Sequence, residues 1–310
     1  MKDADGICSA ALALAANGGT FNLTDYDEMM DELERIPVGT TNLVICDLGT
    51  DSSRFPKFRA KMVEILPSVK VTYIDHHHLT AEGRADLEGL GLRVVHDVSE
   101  CASMLTYMTF KDRLPPKASY LAMFGAVTDY LDSSPLASKR MERFDRQFVL
   151  LESTLLSYAI SNQGRDMKYL ESLVRALSRI EMPHTIVGVS GFALKQAETM
   201  RRLESEVAEK GTVMGKLAYM ETEQSSTGNV AKLLLGAFNV QVGVSYRAKA
   251  GGRAEVSLRC TSECKIHLGQ TLNEIAGMHN GNGGGHARAA GCSLPEPEVI
   301  PVLKEIEARL

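Results

Sequence analysis

The chain has 310 residues, 44% of them hydrophobic and 24% charged, with no Trp and a formal charge of −5. The balance is ordinary for a globular protein, and the length predicts two domains, because single cores stop growing near about 250–300 residues. The mild negative charge excludes a broadly basic coat for non-specific DNA binding but leaves room for a local basic groove.

In chain order, Asp3-Ala4-Asp5-Gly6 leads into the Ala-rich helix former 7–16, which Asn17-Gly18-Gly19 closes. An apolar strand over 42–49 carries Asp47 near its end, and a helix over 54–66 stops at Pro67. The next strand, Val69-Lys70-Val71-Thr72-Tyr73-Ile74, runs into Asp75-His76-His77-His78. A return strand over 92–95 and helices over 99–110 and 117–127 follow, the last running into Thr128-Asp129. Short alternation of uniformly apolar strands with helices predicts an α/β fold with a doubly wound, mainly parallel sheet. Residues 139–183 read as a helical linker. After Pro183 strands are expected at 213–220, 240–248 and 253–260, and helices at 193–210, 228–238 and 268–276, followed by a glycine-rich stretch, a last strand and a helix over 299–310. The expected domains are therefore 1–138, catalytic; 139–183, linker; and 184–310, a smaller α/β unit with a mixed sheet.

No run approaches the roughly 18 apolar residues of a membrane span, and the acidic opening does not suit a signal peptide. The six cysteines include no CxxC pair and several sit in apolar runs. They read as reduced core residues, so a cytoplasmic location without membrane association is expected. Cys260, Cys264 and His267 lack an evident fourth ligand for zinc, and ordinary packing is the reading there.

The chemistry concentrates in three segments that each deliver carboxylates at the end of an element: Asp3-Ala4-Asp5, Asp47, and Asp75-His76-His77, to which Asp129 adds a fourth. Taken singly, such an Asp is as readily a helix cap. Taken jointly, oxygen donors with one or two imidazoles suit manganese or magnesium better than thiolate-preferring zinc. Two such ions sharing a carboxylate are what phosphoryl hydrolysis uses to hold attacking and leaving oxygens. His78 is expected to be a bystander.

These residues resemble the DHH phosphoesterase family, whose name-giving motif is Asp75-His76-His77 here. Asp3-Ala4-Asp5-Gly6, Val44-Ile45-Cys46-Asp47 and Gly125-Ala126-Val127-Thr128-Asp129 resemble further motifs of that family. Gly283-Gly284-Gly285-His286-Ala287-Arg288-Ala289-Ala290-Gly291 resembles the signature of the DHH-associated C-terminal domain, and Ser257-Leu258-Arg259 the strand before it. The resemblance implies two manganese ions, with magnesium as the alternative. Asp3 would serve one, Asp5, His76 and Asp129 the other, and Asp47 would bridge them. It places His77 near the scissile phosphate and gives Asp75 the task of orienting an imidazole. In the family a strand ending in a metal-binding His precedes the first motif. The expectation is that the true start lies upstream of Met1 and supplies both.

In the second domain, successive glycines at 283–285 are expected to form a backbone nest for phosphate, with His286 and Arg288 beside it and Arg259 as a bidentate anion ligand. The leading expectation is a phosphodiesterase or exonuclease for short single-stranded oligonucleotides or small dinucleotides, since few aromatics are available for a long single-strand platform. A polyphosphatase or small-molecule phosphatase, for instance for adenosine bisphosphate, is the alternative, and a non-catalytic nucleic-acid-binding accessory protein the third. A homodimer is carried as an open expectation.

Overall fold

The structure, a computed structural model, describes residues 1–50, 54–223, 227–285 and 287–310. It divides into two compact units, Met1–Ala197 and Glu198–Leu310. The first runs α1 (Ala4–Asn17), α2 (Met29–Glu34), β1 (Asn42–Cys46), α3 (Phe55–Ile65), β2 (Lys70–Asp75), α4 (Ala81–Gly89), β3 (Arg93–His96), α5 (Ala102–Phe110), α6 (Ser119–Thr128), α7 (Pro135–Met141), α8 (Arg146–Gln163) and α9 (Met167–Ser178), and α10 (Val189–Lys210) crosses into the second.

Strands β1, β2 and β3 form a parallel sheet in that order, with α3 and α4 as the crossovers that parallel neighbours require. Alternate side chains serve two cores. Ile45, Val71 and Tyr73 pack with Phe58, Met62 and Leu87, whereas Ile74 packs with Ile7, Leu12, Met104 and Met123. Helices therefore cover both faces, which explains why the strands read as continuous apolar runs. The register levels the strand ends. Cys46 pairs with Ile74 and Asp75 with His96, and the Asp47 N–H extends the ladder by donating to the Ile74 carbonyl at 3.0 Å.

Residues 139–183 are not a free-standing linker. Leu170, Leu173, Val174 and Leu177 of α9 form an apolar stripe at helical spacing, and with Val149, Leu156 and Ala159 of α8 they are fully buried in the core that holds α1 and α6. A stripe of that width has to find an apolar partner. The division between the units accordingly falls at 197/198, inside α10, rather than at 183/184.

The second unit continues with β4 (Thr212–Met214), β5 (Leu217–Glu221), α11 (Thr227–Phe238), β6 (Val242–Lys249), β7 (Arg253–Cys260), α12 (Leu268–Met278), β8 (Asn282–Gly285), β9 (Ala289–Pro295) and α13 (Val299–Glu307). Its sheet has the order β4-β5-β6-β7-β9-β8; only the β5–β6 pair is parallel. The strand expected at 213–220 is a hairpin, because Gly215 takes φ 56 and turns the chain. Along β7, Ala254, Val256, Leu258 and Cys260 point into the core with α12 and α13. By the period of two, Glu255, Ser257 and Arg259 stand on the opposite face.

Candidate functional site

Asp47 closes β1 in the left-handed region, φ 58, which Asp tolerates better than most residues. Its side chain is 1% exposed, and neither carboxylate oxygen has a hydrogen-bond partner among the described residues. His76 Nε2 lies 3.3 Å from Asp47 Oδ1 and 3.2 Å from Asp129 Oδ2. Burial, and after it the carboxylates of Asp3 and Asp5, pushes the Asp47 carboxyl well above the ordinary range. Burial likewise pushes Asp129 up to about 7, with Asp5 adding to it and His76 opposing. A buried carboxylate in this state is strongly destabilising unless a proton or a cation compensates it.

Two ligand sets converge. One atom each from Asp5, His76 and Asp129 fall within 4.8 Å of one another, and so do atoms of Asp47, His76 and His77. The orphaned oxygens of Asp47 and a donor set of carboxylates and imidazoles without thiolate fit a hard or borderline divalent cation. Asp3 is in neither set; its Oδ1 accepts the Gly6 N–H at 2.9 Å and caps α1.

Asp5 has a second task. Its Oδ2 accepts the Ala102 N–H at 2.8 Å and its Oδ1 the Ser103 N–H at 2.9 Å, at the start of α5. The first amides of a helix favour negative charge there, and each oxygen keeps a further lone pair. Gly125 makes the room: a Cβ on it would stand 2.2 Å from Asp5 Oδ1. A glycine inside an otherwise apolar helix was the one sequence signal for this close approach.

Asp75 is 1% exposed and holds His77 twice, through the backbone N–H at 3.1 Å and Nδ1 at 2.9 Å. Burial works to raise the Asp75 carboxyl, but these contacts outweigh it and hold it below its usual range. Burial works to lower His77, and Asp75 outweighs it, so the imidazole is raised. On its other side, His77 Nε2 meets the Tyr26 hydroxyl at 2.7 Å. His96 Nε2 contacts the His77 carbonyl at 2.6 Å, and Gly49 leaves space where a Cβ would come 2.5 Å from His77 Cβ. Sequence reasoning missed Tyr26, His96 and Gly49; Tyr26, in irregular chain before α2, carried no pattern that could have found it. His78 is exposed.

In the second unit, Gly283, Gly284 and Gly285 belong to the edge strand β8, paired with Cys292, Gly291 and Ala290. They form no loop nest, which needs alternating right- and left-handed residues; of the three only Gly285 has positive φ, at 135. A Cβ on Gly283 would stand 2.5 Å from Cys292 Cβ and one on Gly285 2.5 Å from the Ala289 carbonyl, whereas one on Gly284 would meet nothing within 4 Å; the Gly285 carbonyl in turn requires Gly269 of α12, whose Cβ would strike it at 2.0 Å. Arg259 lies against the start of α11, its Nη2 2.5 Å from where a Cβ of Gly228 would be, and its Nη1 donates to the Leu258 carbonyl at 2.8 Å. Ser257 and Gly284 line an open depression of about 470 Å³ together with Glu255, Asn282, Gly291 and Ser293. Arg288 is exposed, and His286 lies outside the described residues.

With this geometry in view, residues 213–310 match the family model of the DHHA1 domain. The second unit therefore carries a DHHA1 domain. No curated protein matches the chain, but solved structures do. The DHH domain of a member of a family of ribosomal proteins is 16% identical, over 98% of this chain and 84% of that one, with a TM-score of 0.67. The pGpG-specific phosphodiesterase PggH from Vibrio cholerae is 13% identical over 99% and 96%, TM-score 0.56. The exonuclease RecJ bound to manganese is 17% identical over 99% and 88%, TM-score 0.56. At such identities the likeness shows the fold, which is that of DHH proteins. Together with the DHHA1 match and the Asp75-His76-His77 geometry, it supports placing the chain among the DHH-family phosphoesterases. Among the described residues, no helix is long and apolar enough to cross a membrane.

Proposed function

We propose that the chain is a manganese-dependent phosphodiesterase that hydrolyses short single-stranded oligonucleotides or small linear dinucleotides. The observation that carries this reading is the buried Asp47 carboxylate, which accepts no hydrogen bond among the described residues and has the Met1 ammonium 4.0 Å away, beside a His76 imidazole that also meets Asp129. Asp5, Asp47, His76 and Asp129, with Asp3 at the rim, are the proposed holders of two divalent ions. Such ions lower the pKa of a bound water and offset phosphate charge.

The protein's own groups do the remaining work. Asp75 at Nδ1 and the Tyr26 hydroxyl at Nε2 hold both ring nitrogens of His77 and fix its plane, so that Nε2 reaches a phosphate oxygen by exchanging the Tyr26 hydroxyl for it. Helix α5 secures Asp5 through two amides, which sets that ligand's orientation before substrate arrives. Arg259 offers the planar fork that suits a terminal phosphate. The depression next to Ser257 and Gly284 has Glu255 as its one charged lining residue, so the proposed phosphate contacts on the DHHA1 face are Arg259 and Arg288 rather than the depression itself.

The manganese-bound exonuclease RecJ and the pGpG-specific phosphodiesterase among the fold relatives are consistent with this substrate class. The deciding experiment incubates the protein with manganese and, in parallel, labelled two- to five-mers, a linear dinucleotide, tripolyphosphate and adenosine bisphosphate. Release of mononucleotides from the first two is the expected result. Orthophosphate from the last two alone would establish a polyphosphatase or small-molecule phosphatase, and tight oligonucleotide binding without turnover or bound metal would leave a nucleic-acid-binding protein.

A further inference from the structure

Five non-glycine residues of the described chain adopt left-handed φ: Asp47, Tyr130, Ile180, Asn239 and Asn280. For a side chain with a Cβ this conformation costs stability, least for Asn and Asp, whose short polar groups tolerate it. Ile180 offsets the strain by packing against the apolar core of the first unit. Tyr130 has neither compensation. Its φ is 59 and its side chain is 81% exposed.

The reason for the strain is local. Helix α6 ends at Thr128 with Asp129 as its cap. The Tyr130 N–H donates to the Val127 carbonyl at 3.2 Å, and the Leu131 N–H to the Ala126 carbonyl at 2.8 Å. This pair of bonds is the Schellman ending, in which the residue after the cap is left-handed and is most often glycine. The chain thus keeps an aromatic where glycine would be more stable, and the ring gains no burial from it. Nor does the Tyr130 side chain make a hydrogen bond, ion pair or ring contact among the described residues.

The same ending delivers Asp129, whose Oδ2 lies 3.2 Å from His76 Nε2. Neighbouring Cα atoms stand about 3.8 Å apart, so the Tyr130 backbone adjoins that of Asp129, a member of the ligand cluster. By contrast the hydroxyl of Tyr26 is already engaged with His77.

We propose that Tyr130 is a stacking platform for an unpaired nucleobase of the substrate, forming a base subsite beside the metal-ligand cluster. This inference rests on the phosphodiesterase reading above and narrows it to nucleotide esters. Stacking on an aromatic face accepts every base, because each has a π-face, so the subsite selects for the presence of a base rather than its identity.

Substituting Tyr130→Gly separates this role from a structural one, because the two respond in opposite directions. Glycine relieves the left-handed strain, so Tm should rise. Removal of the ring should raise the KM for a dinucleotide on the order of tenfold with little change in kcat. Inhibition by tripolyphosphate, which has no base, should keep its constant. A 2-aminopurine dinucleotide with a hydrolysis-resistant phosphorothioate link should be quenched on binding the unsubstituted protein and not by the glycine variant. Tyr130→Phe keeps the ring and should restore the quench, and Tyr130→Asn, which also tolerates the conformation, replaces the glycine variant if that one does not fold. Wild-type dinucleotide affinity in the glycine variant would overturn the subsite, as would an equal weakening of tripolyphosphate. If the unsubstituted protein cleaves no phosphodiester, the phosphodiesterase reading fails, while the quench experiment still decides whether Tyr130 stacks on a base.

Discussion

The two units hold their functional groups in opposite ways. In the first, the cluster centres on a buried carboxylate without hydrogen bonds: Asp47 is 1% exposed and accepts none among the described residues, and Asp129 is pushed up to about 7 by burial and the nearby Asp5. In the second, Ser257, Gly284 and Arg259 stand half-exposed on a sheet face, and the glycines satisfy their backbone by strand pairing. A buried carboxylate is tolerated only when a proton or a cation neutralises it, whereas a half-exposed guanidinium keeps its charge hydrated. In the proposed reading the contrast separates chemistry from grip, with the cation ligands in the first unit and the phosphate contacts in the second.

The largest expected effect breaks the first half of that contrast. Asp47→Asn should remove manganese binding and lower kcat on the order of 10³-fold or more, read by metal content after dialysis and by turnover of a dinucleotide. Retained turnover with retained metal would remove Asp47 from the centre. The second half is sharpened by Arg259→Ala, expected to raise KM about tenfold with kcat nearly unchanged, since a charged bidentate contact made equally in ground and transition states affects binding alone. A loss confined to kcat would move Arg259 from grip to chemistry.

The smallest effect concerns stability. Asp129 rises from 3.8 to about 7 on folding, so the metal-free folded state binds the extra proton between those values. For a carboxyl raised in this way, stability is present at low pH and is lost as pH climbs from about 4 to about 7. Because bound metal requires the deprotonated ligand, manganese should raise Tm more at pH 8 than at pH 5. Thermal melts with chelator and with manganese across that range check this; a manganese effect that shrinks as pH rises would contradict it.

Much of the site was legible as sequence because its residues punctuate regular elements. Asp47 and Asp75 follow apolar strands, and parallel pairing of those strands brings their ends level whatever the intervening chain does. Asp129 follows an apolar helix in the same manner. The glycine run was legible as a feature but not as a structure. A nest and a crowded edge strand both accept glycine, and only the pairing with β9, which crowds Gly283 and Gly285, distinguishes them. The reading of 139–183 as a linker failed for a related reason, since a helical stripe announces that it will be buried without naming the surface that buries it.

What the sequence determined by itself is therefore the local part: which segments are strands or helices, which face of each is apolar, and which ionisable residues sit at their ends. Tertiary structure alone decided the pairings between distant residues. Asp5 caps α5 through amides 97 and 98 residues away, Tyr26 closes on His77 across 51 residues, and Gly125 makes space for Asp5. Periodicity and propensity act over one or two turns of chain, whereas such convergence depends on sheet register and helix packing, which no single segment encodes.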